Sequence, residues 1–267
     1  MRSPGWIAQI LLAPALVAVL TAQSASPALS NLDLSKPFST RSPWHLTATQ
    51  SAPVRGDDTP SGGEEPGQIR LCLQATHLSP CDPQLGNALG DASDASDIFT
   101  QPHYLNAVRI VYPRESADQP LLWIQMSSLH SGDGDQRVAT LMFAYANDQD
   151  RFVHIYQHAT GRNNNQEVRY ISSGALKGDI ISIDPTQNAP YGYWVTVSAL
   201  TPQYTYKTAL HYRSATHYGD NNSLAVIDSE MPNIEGHLGV WKPGMALPLP
   251  SGPCPKPRLI NMELWCK

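Results

Sequence analysis

Phenylalanine, positive charge and long apolar runs are all scarce in this chain. Four Phe stand against 11 Tyr and 6 Trp, so most of its aromatic rings carry a polar handle. Lys and Arg number 18 against 23 Asp and Glu. No basic patch breaks that balance, which makes nucleic acid and anionic membrane surfaces poor partners. There is no CxxC pair and no Cys/His cluster, so the common zinc frameworks are excluded, and the reading calls for no metal and no cofactor. Neither a G-x-S-x-G sequence nor a Gly-rich phosphate loop behind a strand occurs. Nucleophile-elbow hydrolysis and phosphate cradling therefore have no footing. Acidic segments around Asp91, Asp94 and Asp97 and around Asp133 and Asp135 lack the terminal Glu of a calcium loop and read as solvated loops.

The longest apolar run, Trp6 to Leu20, is 15 residues and contains Pro14, whereas a membrane-spanning helix needs roughly 20. It follows Met1-Arg2 and precedes Thr21, Ala22, Ser24, Ala25 and Ser26, the order of a secretory signal. Residues 1–24 are read as a signal peptide, the mature chain as secreted or periplasmic, without a membrane anchor. Losing Arg2 leaves 17 basic residues against 23 acidic, or −6. Four cysteines, Cys72, Cys81, Cys254 and Cys266, fit an exported disulfide framework. Local pairs, Cys72 with Cys81 and Cys254 with Cys266, are the simplest connectivity, each worth about 2–3 kcal/mol. Pairing across the chain remains open.

Residues 25–67 are rich in Ser, Pro, Thr and Gly and read as a flexible leader. Arg55-Gly56-Asp57 within it is a chance tripeptide. From Ala107 onward the chain carries short β-branched and aromatic segments such as AVRIVYP, PLLWIQMSS, RVATLMFAYA, RFVHIYQH, DIISID, YGYWVTVSAL and LAVID, punctuated by Gly, Pro, Asn and Asp. That is the pattern of short strands joined by turns. No helices of roughly 10–15 residues alternate with them, which disfavours parallel α/β. Residues 68–267 are read as a single all-β domain, an antiparallel sandwich or an open barrel-like sheet. A propeller-like arrangement ranks behind both, and DSEMPNIEGHL supplies a helical turn or two. ANDQD is expected to be a hairpin turn.

Asn163, Asn164 and Asn165 stand in a row between two strand patterns. Asparagine accepts left-handed backbone and bonds its own main chain, so a turn explains them. A ligand role is the alternative. His154, Tyr156 and His158 lead in along one predicted strand face, and Arg162 precedes the amides. A faint echo 56 residues later, YRSATHYGDNN after YQHATGRNNN, adds Arg213, His217, Tyr218, Asp220, Asn221 and Asn222. Amide, guanidinium, imidazole and phenol groups together suit a polyhydroxylated or acidic sugar. His154 and His158 are about 13 Å apart on a regular strand, too far to share one metal.

Two catalytic readings are weaker. Asp228 and Glu230, if on a strand, would point the same way about 6.6 Å apart, within the range of glycosidase carboxylates; a helix cap is the plain alternative. For β-elimination on a uronate polymer, His217, Tyr218, Arg213 and Asn221 are the right residue types. The expectation is an exported all-β binding protein for a saccharide or polysaccharide. A polysaccharide-degrading enzyme, lyase before glycoside hydrolase, ranks second. A structural envelope protein with no small ligand ranks third.

Overall fold

The computed structural model describes residues 28–55, 63–83, 85, 102–113, 119–130, 136–161, 165–187 and 192–267. The expected signal peptide, the acidic loop segments 91–97 and 133–135, and Arg162, Asn163 and Asn164 lie outside the described residues. The fold class is all-β and antiparallel, arranged as a sandwich without a closed barrel.

Strand formation begins inside the expected leader. β1 (Ala28–Asp33), a single helical turn α1 (Ser35–Phe38) and β2 (His45–Gln50) precede the two-residue strands β3 (Val54–Arg55) and β4 (Glu64–Glu65) and then β5 (Ile69–Gln74). β1, β2 and β5 form a three-stranded sheet in that order. Residues 28–50 of the expected leader thus carry two strands and a helical turn. His45-Leu46-Thr47-Ala48 alternates in the period of a half-buried strand, and Leu46 and Ala48 are both 0% exposed. The Ser- and Pro-rich surroundings mask that short alternation.

A second sheet holds β6 (Tyr104–Val111), β7 (Leu121–His130), β8 (Gln136–Ala146) and β9 (Arg151–Thr160), in chain order. Both of its faces are covered. Leu122, Ile124, Leu141 and Phe143 pack with Leu34, Phe38, Trp44 and Leu73 of the first layer. Leu121, Trp123, Met142 and Ala144 point the other way, into a core shared with Val168, Tyr170 and Ile180. Double coverage explains why β7 and β8 read as nearly continuous apolar runs.

The third sheet is β10 (Glu167–Tyr170), β11 (Ile180–Pro185), β12 (Tyr193–Leu200) and β13 (Tyr206–Arg213), again in chain order. Its outer face carries Ile181, Ile183, Tyr193, Val195 and Val197 against Val226, Ile227 and Ile234 of helix α2 (Val226–His237). The hairpin of β14 (Pro257–Ile260) and β15 (Glu263–Cys266) lies against that helix. Three cores thus separate four layers. Cys72 is bonded to Cys81 and Cys254 to Cys266, with Cα atoms 5.0 and 4.9 Å apart.

Two further expectations change. LAVID is not a strand: its last residues open α2, which runs 12 residues rather than a turn or two. The helix ends in a Schellman arrangement, Gly239 at φ +73° with Val240 N–H donating to the Glu235 carbonyl at 2.9 Å. β9 also departs from plain alternation. A bulge pairs Met142 with Tyr156 but Phe143 with His154, so Phe152 and His154 lie toward the first core while Tyr156 and His158 lie toward the second. The expected shared face is split, and His154 and His158 diverge.

Candidate functional site

The β9 bulge places Tyr156 and His158 at the open end of the space between the second and third sheets. His158 Nε2 lies 2.9 Å from Asp184 Oδ1 on β11, and both side chains are partly exposed. Asp184 is the cross-strand neighbour of Trp194 on β12, and Trp194 of Arg213 on β13. Opposed residues of an antiparallel pair share a face, so Asp184, Trp194 and Arg213 form a row. Trp194 is 39% exposed, unusual for so large an apolar ring. It lies flat against His211, with centroids 4.8 Å apart and planes at 12°. The His211 ring is held in turn by Thr196, whose Oγ1 is 2.9 Å from Nδ1. Tyr156 sits deeper, edge-on to Tyr206. Burial pushes its hydroxyl well above the usual tyrosine range and the charge of Asp184 adds to this, so Tyr156 remains a neutral hydroxyl.

Gly192 lets the chain run close beside Arg213 and Ser214. A Cβ there would come 3.1 Å from the Ser214 carbonyl and 3.6 Å from Arg213 Nε. Thr186 and Gly192 clamp the chain just ahead of Trp194 through two hydrogen bonds of 3.1 Å.

The two asparagine-bearing segments approach each other at Tyr193, 1% exposed. Burial raises its pKa, the neighbouring Asn165 side chain lowers it, and Asp220 and Tyr218 raise it. Asn165 and Asn221 take φ of 60° and 65°, the left-handed turn conformation. Asn222 holds structure together: its Nδ2 donates to Ser229 Oγ at 2.8 Å and to the Leu264 carbonyl at 3.0 Å. His217 and Tyr218 are exposed on the loop after β13. His154 is half-buried, tilted against Phe143, with burial lowering its pKa.

Asp228 and Glu230 do not form the strand pair expected of them, because helical spacing aims them apart. Asp228 accepts from Arg169 Nη1 at 2.6 Å, and Arg169 also pairs with Glu167 at 2.8 Å. Glu230 is 0% exposed and accepts from Tyr212, Ser214, Thr216 and Asn233. With four donors and no exposure it offers no oxygen to a substrate.

Of the sequence-predicted residues, Arg213 belongs to the open row, His158 is bonded to its Asp184, and Tyr156 sits deeper behind them. Asp184, Trp194, Thr196 and His211 were missed. The available signal was Trp194 itself. In YWVTV the apolar set is Tyr193, Val195 and Val197, so period-2 alternation puts the indole on the opposite, otherwise polar face. No protein-family model, curated protein or solved structure matches the chain.

Proposed function

We propose that the protein is an exported saccharide-binding protein whose ligand lies along the row Asp184, Trp194, Arg213. The observation that carries this reading is Trp194, an exposed indole held flat by His211. A sugar ring presents an apolar C–H face suited to an aromatic plane, and its hydroxyls need fixed donors and acceptors at the edges. Asp184 and His158 stand on one side of the indole and Arg213 on the other. Export is supported by two disulfides and by the N-terminal signal pattern. No helix among the described residues is long and apolar enough to cross a membrane.

A glycan array on the mature protein tests the reading, followed by titration of any binder with Trp194→Ala. The expected loss is about 1–3 kcal/mol, or roughly 5- to 150-fold in affinity, in a variant that still folds. Equal affinity in wild type and Trp194→Ala would move the ligand elsewhere.

The pair His158–Asp184 favours one second reading, a lyase. A carboxylate that orients an imidazole leaves the imidazole's other nitrogen available as a base, and Arg213 could neutralise a uronate carboxylate. Appearance of unsaturated product from uronate polymers, lost in His158→Ala, would select this reading over binding alone.

A further inference from the structure

At the opposite end of the same interlayer lies a cavity of about 580 Å³. It adjoins the start of β9 and the loop after β12, whereas the saccharide row uses the end of β9 and the start of β12. Its volume falls in the range of small-molecule sites, roughly 300–1,000 Å³. Ala144, Val153 and Ile155 give an apolar floor, and Asn147 and Gln203 place amides at the rim. Asp148 is the one charged side chain among the described lining residues. With a carboxylate and no cation, the lining repels anions and has no partner for them.

One wall is Tyr204, and its backbone is the second observation. Tyr204 sits at φ 55°, in the left-handed region where a bulky residue is an outlier. The loop Thr201–Thr205 closes β12 onto β13, with Thr201 N–H donating to the Thr205 carbonyl at 2.8 Å. A hairpin loop of this kind places Gly or Asn at its left-handed position. Here the position carries a tyrosine that packs against the interlayer core and lines the cavity. Strain of this sort persists where surrounding structure imposes it, and it gathers at ligand sites.

We propose that this cavity is a second ligand site, for an uncharged ring compound with a polar edge, and that Tyr204 is its aromatic wall. An apolar floor and flat wall take the ring; the rim amides serve as both donors and acceptors for its edge. The site is independent of the saccharide row.

The test is a fluorescence titration of the mature protein with N-phenyl-1-naphthylamine, a neutral aromatic probe that brightens in apolar surroundings. Saturable binding at one site per chain is expected. Tyr204→Gly keeps the left-handed backbone and removes the ring, so probe affinity should fall at least tenfold in the folded variant. Ala146→Leu, at the cavity wall, should weaken the probe to the same degree in a folded protein. Absence of saturable binding to the wild type would overturn the site. So would wild-type affinity in either folded variant.

Discussion

Asp150 sits at φ 48° in the turn between β8 and β9, and its carboxylate reaches back across 108 residues of sequence. Ser42 donates to it through Oγ at 2.5 Å, Tyr145 through its hydroxyl at 2.6 Å and Trp44 through Nε1 at 3.2 Å. Burial alone would raise its pKa; these hydrogen bonds outweigh that and hold it at about 2, below the ordinary 3.8. The folded pKa is the lower one, so its contribution is complete above the unfolded value and disappears as pH falls through about 2. Asp150→Asn should therefore flatten the acid limb of stability between those two values, measured by urea midpoints across that window. Asp150→Ala should cost about 2–3 kcal/mol at neutral pH, because four partly buried donors, the Ser42 backbone N–H included, lose their acceptor. An unchanged acid limb in Asp150→Asn would assign the acid sensitivity to other carboxylates.

Single elements show which sequence signals were readable. β7, β8, β11 and β12 stand out because apolar residues recur every second position or fill both faces. α2 does not, since Ala225, Val226 and Ile227 mimic a strand and Pro232 argues against a helix interior. Burial of Val226, Ile227 and Ile234 against the third sheet decides the outcome, and tertiary packing overrides propensity of this size. The β9 bulge was equally hidden: nothing in FVHIYQH marks where one residue is left over. That slip separates His154 from Tyr156 and His158. The helix also gives Glu230 its role. Its acceptor atoms bind α2 to β13 and the segment after it, so Glu230→Ala should lower stability by about 2–4 kcal/mol in urea unfolding. Any saccharide affinity should be untouched in the fraction that remains folded. Loss of ligand turnover or binding with stability intact would restore Glu230 as a functional carboxylate.

On the scale of the whole molecule, the second sheet is the interior layer, and it is interior because residues 28–50 cover it. Without them Leu122, Ile124, Leu141 and Phe143 would face water. Composition could not reveal this, because a Ser- and Pro-rich stretch needs few apolar anchors to dock, and here Leu34, Phe38, Trp44 and Leu46 suffice. Trp44 is the most informative of these. It is 5% exposed, lies edge-on to Phe152 with centroids 5.5 Å apart, and donates its indole N–H to Asp150. Trp44→Ala removes the ring, the contact and the hydrogen bond together, so a loss of about 3–5 kcal/mol is expected. A flexible leader would tolerate the same change with no shift in melting temperature. Limited proteolysis separates the two descriptions independently. Residues 28–50 should resist cleavage as long as the strands of the second sheet do in the wild type, and become sensitive in Trp44→Ala. Early cleavage of wild-type residues 28–50, ahead of any loss of the strands, would mean the first layer is detachable and the second sheet tolerates an exposed face.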